Sequence, residues 1–242
     1  MKNKITRWAT AAAATAALLS TGLAQADAIR VSMTVDNSYA LYTGTVNGAT
    51  QFVGAAGVWE TVETYNFNLT SDAYLYVVTA SDRSTAQGFL GQFENLTAGY
   101  KFYSHDPQWQ VMATGLGSNA PYDGTQAALD LLSTEIQDAN GGGNQSNGWK
   151  NFTAGGTNGT APWGARAGID AAARWVWYAG GNCNATNPTL GGCDAGEWLV
   201  FRIAVAATPD NPTGTQLPEP ASLGLVGLGL LAAAGAVRRR RA

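Results

Sequence analysis

Short segments with a two-residue hydrophobic period fill the central part of this 242-residue chain. In the first segment Ile29 and Val35 begin and end a run whose odd positions are apolar, whereas Arg30, Ser32 and Thr34 between them are polar. This alternation places successive side chains on opposite faces, so it predicts a strand with one buried face. Further strands are predicted at residues 39–46, 49–53, 64–69, 73–80, 89–93, 100–103, 109–113, 174–178 and 198–205.

The segments between these strands indicate how the strands connect. Asn47 and Gly48 form a pair that favours a two-residue hairpin turn, and Gly, Asn and Asp separate most other strands. Many short aromatic strands joined in this way predict an all-β fold, an antiparallel β-sandwich. One helix is predicted at residues 125–138. Its amphipathic, mostly apolar face consists of Ala128, Leu131, Leu132, Glu135 and Ile136. We expect this helix to cover an end or an edge of the sandwich.

Glycine-rich sequence follows the predicted helix. Residues 139–168 contain two Gly- and Asn-rich runs, and glycine loses much conformational entropy when it is fixed. We predict a long insertion loop here, in which Trp149 and Trp163 either dock on the sandwich or stand exposed. A Pro-, Thr- and Gly-rich spacer is predicted at residues 208–216, after a sandwich domain that covers residues 27–207.

The N-terminus has the order of a secretory signal peptide. Lys2, Lys4 and Arg7 precede an apolar Ala- and Leu-rich run, and Ala24-Gln25-Ala26 ends it with an A-x-A cleavage pattern. We therefore predict that residues 1–26 are a signal peptide. Cleavage after Ala28 fits nearly as well.

The C-terminus carries a second predicted targeting segment. Residues 221–237 are 17 residues without a charge, near the lower limit for a transmembrane helix, and Arg238, Arg239, Arg240 and Arg241 follow them. By the positive-inside rule the Arg cluster stays cytoplasmic, and the preceding domain faces outward. A plain single-span anchor would give the same orientation.

Pro218, Glu219 and Pro220 stand directly before this span. The triplet, the short Gly-rich helix and the basic end at residues 217–242 together resemble the PEP-CTERM sorting signal of Gram-negative bacteria, with Leu217 where that family often has Val. The resemblance implies recognition by the membrane protease exosortase, transient anchoring in the inner membrane, and delivery to the cell envelope or extracellular matrix, commonly beside exopolysaccharide genes.

Charge and cysteine content agree with an exported protein. Between the two ends lie seven basic and 16 acidic residues, which would repel nucleic-acid phosphates, so no nucleic-acid partner is expected. Cys183 and Cys193 are the only cysteines, and in an oxidising compartment we expect them to form a disulfide.

Scattered segments of the central domain resemble galactose-binding-like jelly rolls. The Asp36-Asn37 pair before an aromatic strand, the strand around Tyr76, and Ala173-Arg174-Trp175-Val176-Trp177 correspond to successive strands of those modules. The resemblance implies a jelly-roll-like sandwich and only weakly a sugar ligand, because such sandwiches host many functions.

The sequence offers no persuasive catalytic group. The single histidine, His105, lacks the surroundings of a triad, and Glu60, Glu63, Glu94 and Glu197 show no spacing that pairs them for glycoside cleavage. We predict no catalytic residue and no organic cofactor. Calcium remains open, because Asp36, Asp72 and Asp82 stand near predicted strand ends and supply the oxygen ligands that calcium prefers. Alternatively, they are turn residues that bond nearby backbone.

Aromatic side chains indicate how the domain could bind a ligand. The chain has eight Trp and nine Tyr, and Trp149, Trp163 and Trp177 lie in or near the glycine-rich segment. An indole face stacks on the apolar face of a sugar ring while neighbouring polar groups bond its hydroxyls. We predict a non-enzymatic module that associates with exopolysaccharide. A secreted polysaccharide hydrolase and a structural surface protein without a specific ligand are the alternatives.

Overall fold

A computed structural model of the chain describes residues 26–69, 73–82, 85–117, 122–180 and 187–205. These residues form eleven strands and one helix. In chain order the elements are β1 Asp27–Asp36, β2 Ser38–Thr45, β3 Gly48–Ala56, β4 Glu63–Leu69, β5 Ala73–Ala80, β6 Gly88–Asn95, β7 Tyr100–Tyr103, β8 Gln110–Gly117, α1 Gln126–Gly141, β9 Thr153–Thr157, β10 Arg174–Trp177 and β11 Glu197–Val205.

The strands build two antiparallel sheets. In the first, sheet A, the order is β4-β1-β6-β10-β9, and β7 also pairs with β6. In the second, sheet B, the order is β3-β2-β5-β11-β8. The chain passes repeatedly from one sheet to the other, so neighbours within a sheet are mostly distant in sequence. The predicted antiparallel, mostly β architecture is confirmed.

The main core lies between the inner faces of the two sheets. Alternate residues of each strand point inward, as the odd positions of β1 and β11 show. Aromatic rings fill much of the space, and Phe89 meets both Trp109 and Phe201 edge to face at a centroid distance of 5.5 Å. Such contacts add to the stabilisation that burial alone provides.

Helix α1 packs on the outer face of sheet B, not at an end or edge of the sandwich. Leu132 and Ile136 are fully buried there against a cluster that includes Tyr42, Tyr76 and Val200. The helix begins after Thr125, whose side chain accepts a hydrogen bond from the Ala128 amide, a favourable N-cap. Of the predicted face, Ala128, Leu132 and Ile136 are buried, whereas Leu131 and Glu135 are half-buried.

The predicted insertion at residues 139–168 contains regular structure. Its first residues complete α1, which ends before Gly142 at φ 77°, and strand β9 forms within it at the edge of sheet A. Asn158 then holds the following turn: its side-chain amide donates to the carbonyls of Arg166 and Ile169, and its oxygen accepts from the Arg166 amide. Side-chain hydrogen bonds thus fix a segment whose composition predicted a long loop.

Several predicted segments lie outside the described residues. They include residues 1–25 of the predicted signal peptide, the spacer at 208–216, and the sorting signal at 217–242 with its predicted span at 221–237. Asp72 and Cys183 also lie outside, so the Cys183–Cys193 disulfide stays a prediction. Within the described part of the chain, the one helix is too short and too polar to cross a bilayer.

Candidate functional site

A pocket of about 240 Å³ opens where β1 ends. Four connections of the sandwich meet there: β1 to β2, β3 to β4, β5 to β6, and β9 to β10. We call it the β1-end pocket, and its described lining residues are Asp36, Asn37, Trp59, Asp82, Thr85, Ala86, Pro162 and Trp163. Its volume is smaller than the roughly 300–1,000 Å³ of pockets that enclose drug-sized ligands, so it suits one unit of a longer ligand.

Asp36 is the buried charged group of this pocket. It is the last residue of β1 and lies on the outer face of sheet A, because Val35 before it points into the core. Only 7% of Asp36 is exposed, and its Oδ2 accepts a hydrogen bond from Trp163 Nε1 at 2.7 Å. Asp36 also lines the pocket, so a ligand there could reach its carboxylate.

The electrostatic setting of Asp36 disfavours its ionised form. Burial is the largest cause that raises the pKa of Asp36, and the nearby charges of Asp82 and Glu60 raise it further. The hydrogen bond from Trp163 acts in the opposite direction and lowers the pKa. A ligand that donated a hydrogen bond or a positive charge to Asp36 would therefore relieve an unfavourable arrangement.

Trp163 forms the base of the pocket and holds the β9–β10 connection on sheet A. Its ring stacks on Trp175 of β10 at a centroid distance of 4.1 Å and an interplanar angle of 19°. Gly88 of β6 makes room for this pair, because a Cβ at that position would lie 2.8 Å from Trp175 Cε3. Trp163 is only 3% exposed, so it shapes the pocket more than it offers a ring face.

Trp59 supplies the half-buried aromatic wall. It lies between β3 and β4, where its carbonyl accepts a 2.7 Å hydrogen bond from the Thr34 hydroxyl. The Arg166 guanidinium lies 5.2 Å from the centre of its ring and donates to the carbonyls of Glu60 and Trp163. Arg166 thus connects the two loops that form opposite parts of the pocket.

Asn37 and Asp82 form the polar side of the pocket. Asn37 Oδ1 accepts a hydrogen bond from the Asp82 backbone amide at 2.8 Å. The backbone amide of Asn37 donates to the Ala80 carbonyl at 3.0 Å. These bonds hold the β1–β2 and β5–β6 connections together. The predicted residues Asp36 and Asp82 therefore lie in one pocket with Trp163, although they are far apart in the sequence.

The other two predicted aromatic residues lie elsewhere. Trp177 is fully buried in the main core, and its Nε1 donates to the Cys193 carbonyl at 2.7 Å, so no ring face is open to a ligand. Trp149 is half-buried beside sheet B, where the Arg202 guanidinium lies 3.7 Å from its ring centre and Asn140 accepts from its Nε1. Trp149 and the β1-end pocket are thus on different sheets.

The predicted metal ligands do not form a clear metal centre. Within the described part of the chain, no group of three or more His, Cys, Asp and Glu side chains could hold an ion. Asp36 and Asp82 line the same pocket, but Asp72 lies outside the described residues.

The glutamates considered for glycoside cleavage are divided among different elements. Glu94 of β6 pairs with Arg30 at 3.6 Å and with Lys101 at 3.9 Å. Glu197 begins β11 and accepts hydrogen bonds from the Gly115 amide and from Gln145. Glu60 lies near the β1-end pocket as an exposed residue.

Sequence reasoning missed Trp59. The available signal was its position: it stands outside any alternating strand pattern, between the strands predicted at residues 49–53 and 64–69. An aromatic residue in such a connection can stay partly open, and Trp59 is half-buried, packed in part against the cluster that contains Trp163 and Trp175. Such residues are good candidates for ligand contact.

Comparison with known proteins identifies the C-terminus. A family model described as the PEP-CTERM protein-sorting motif matches residues 216–241. No curated protein and no solved structure matches the chain.

Proposed function

We propose that this exported, exosortase-sorted protein is a non-enzymatic module that binds extracellular polysaccharide through the β1-end pocket. The PEP-CTERM motif supports export as a membrane-anchored precursor that exosortase processes for the cell surface. The sandwich would then contact the polymers outside the cell. Sugar binding and the absence of catalysis are the parts of this proposal that need experimental tests.

The observation that carries the proposal is the pairing of Trp59 with Asp36 in one pocket. A half-buried indole can stack on the apolar face of a sugar, and the Asp36 carboxylate can accept a hydroxyl hydrogen. Asn37, Asp82 and Thr85 add polar groups around the same space. Aromatic walls with a few convergent polar groups are typical of small-ligand sites.

The arrangement favours binding over glycoside hydrolysis. A hydrolase of the usual kind needs an acid and a second carboxylate on opposite sides of the scissile bond. Asp36 is only 7% exposed, and its Oδ2 already accepts a hydrogen bond from Trp163 Nε1, so it is poorly placed to protonate a leaving group. We therefore propose a binding role for this carboxylate.

The first experiment measures the fraction of the full-length chain, in mild detergent, that is retained on matrix polysaccharide from the cells that produce the protein. Released reducing sugar is assayed in the same samples, and a parallel series contains a calcium chelator. Trp59→Ala should reduce retention by at least tenfold, since stacking on the indole is lost. Trp149→Ala is the matched control and should bind like the wild type.

The proposal is supported if the wild type is retained without releasing sugar, and if Trp59→Ala loses this retention while Trp149→Ala keeps it. Release of reducing sugar would establish the hydrolase alternative. No retention would leave a sorted structural protein without a specific ligand, and equal loss in both Trp variants would refute the assignment to this pocket. Loss of retention with chelator would add a calcium requirement.

A further inference from the structure

The β1-end pocket is lined by a buried carboxylate, that of Asp36. Its described lining residues include two carboxylates, Asp36 and Asp82, and no basic side chain. Glu60 is near enough for its charge to act on Asp36. Arg166 lies close by but is not a lining residue, and its guanidinium is bonded to the carbonyls of Glu60 and Trp163.

Burial makes this charge costly unless it is paired. Asp36 is only 7% exposed, and among the described side chains its carboxylate receives one hydrogen bond, from the neutral indole of Trp163. A buried carboxylate is most stable with a cation and several donors. Asp36 lines the pocket, and the described lining residues include no Lys or Arg side chain.

A protonated amine meets this requirement better than a hydroxyl. An ammonium group has three donors and a positive charge, and hydrogen bonds between ions are roughly twice as strong as neutral ones. The Trp59 ring already has the Arg166 guanidinium 5.2 Å from its centre, so we assign Trp59 to the carbon face of the sugar and Asp36 to the ammonium. Pro162 and Trp59 also offer apolar surface for the carbon face of a sugar ring.

We infer that the β1-end pocket selects an amino sugar with a free ammonium group, as found in a de-N-acetylated polysaccharide, and that Asp36 accepts that ammonium. This inference rests on the proposed function and specifies its ligand. Acidic sugars such as uronates would be repelled by Asp36. An N-acetylated sugar would leave the buried charge unpaired.

The experiment measures affinities of the full-length chain for three tetrasaccharides by isothermal titration calorimetry. The probes are tetramers of glucosamine, N-acetylglucosamine and glucose, at a mildly acidic pH where the amine is protonated. We expect the glucosamine tetramer to bind at least about tenfold more tightly than the other two. This ratio corresponds to a difference in binding free energy of about 1.4 kcal/mol. Asp36→Asn should bring the three affinities close together, since it keeps the shape and the acceptor for Trp163 but removes the charge.

Asp130→Asn is the matched control. Asp130 is exposed on α1, on the other side of the sandwich, and its carboxylate accepts from Gln126. This variant removes the same net charge but should keep the amine preference. Arg83 follows Asp82 in the sequence and lies outside the described residues, so Arg83→Gln is measured as well and should also keep the preference.

Each outcome decides between the two proposals. An amine preference that Asp36→Asn abolishes and Asp130→Asn retains supports the inference. Equal binding of all three tetramers, or tighter binding of a neutral one, overturns the inference and leaves polysaccharide binding in place. No binding of any tetramer, together with no retention on matrix polysaccharide, overturns both.

A second variant keeps the test decisive if Asp36→Asn fails to fold. Glu60 is exposed, so Glu60→Gln does not disturb a packed position, and it removes a charge that acts on Asp36. It should reduce the amine preference in part while circular dichroism stays unchanged. An unchanged preference in Glu60→Gln and a retained preference in a folded Asp36→Asn would both contradict the inference.

Discussion

Substitution of Trp163 by Phe tests whether the β9–β10 connection is docked as described. Trp163 is 3% exposed, and its Nε1 donates to the Asp36 carboxylate at 2.7 Å. A hydrogen bond to a charged group contributes about 1.5–3 kcal/mol, and a methyl-sized void left by the smaller ring costs about 1 kcal/mol. Trp163→Phe should therefore lower the free energy of unfolding by about 2.5–4 kcal/mol at neutral pH.

The loss of unfolding free energy in Trp163→Phe should be smaller at acid pH. The Trp163 hydrogen bond lowers the pKa of Asp36, so its removal raises that pKa further in the folded variant. The folded variant then binds the Asp36 proton more tightly, and its stability falls more steeply as pH rises. Once Asp36 is protonated in both proteins, only a neutral bond of about 0.5–1.5 kcal/mol and the void remain.

Urea denaturation of the full-length chain in detergent, followed by far-ultraviolet circular dichroism over a pH series, measures both effects. The control is Trp149→Phe, which loses a bond to the neutral amide oxygen of Asn140. Its loss should be independent of the titration of Asp36. A Trp163→Phe loss below about 1 kcal/mol, or one that does not change with pH, would refute the docking of Trp163 on Asp36.

Four further predictions concern Asp36 and three other parts of the chain. Folding raises the pKa of Asp36 above its ordinary value of 3.8, so wild-type stability should fall as pH rises from 3.8 through the folded pKa. Asp36→Asn should reduce this fall, which urea denaturation at several pH values measures. Gly91→Ala would place a Cβ 2.8 Å from Phe93 and should lower the free energy of unfolding by about 1–3 kcal/mol. Its control, Gly117→Ala, meets open space and should change that free energy by less than about 0.5 kcal/mol. Chemical denaturation measures both. Thr125→Ala removes the N-cap acceptor for α1 and should cost about 1 kcal/mol in the same assay; no loss would show that the cap is not formed. Glu219→Ala in the PEP-CTERM motif should leave the precursor unprocessed at the membrane, as an immunoblot of fractionated cells would show; normal processing would contradict recognition through this triplet.

The strands were predictable because each one carries its own burial pattern. Residues 29–35 alternate apolar and polar side chains, and β1 buries the apolar set between the sheets. The local pattern could not assign the strands to sheet A or sheet B, because both sheets have the same inward alternation. It also missed β9, Thr153–Thr157, whose small residues show no hydrophobic period.

The first hairpin shows a smaller difference. The sequence predicted a turn at Asn47 and Gly48, but Thr45 pairs with Gly48, so Val46 and Asn47 are the loop residues. The pairing shifts register between Thr43 and Gly44, which moves the turn by one position. Helix α1 also holds this loop, since Asn140 donates to the Val46 carbonyl. Tertiary contacts thus determined a turn that local preference placed one residue away.

The pocket shows a similar limit for functional residues. Asp36 and Trp163 are 127 positions apart, and their 2.7 Å hydrogen bond depends on β1 and β10 both lying beside β6. The sequence marked Asp36, Asp82 and Trp163 as candidates for ligand or metal contact, but no local signal could show that they line one pocket. The residue that gives the pocket its aromatic wall, Trp59, reaches it because the Thr34 hydroxyl and Arg166 hold its loop from two sides. A substitution that loosened either contact, such as Thr34→Val, should weaken sugar binding without touching the ligand, and unchanged affinity would show that the Trp59 loop is positioned by other contacts.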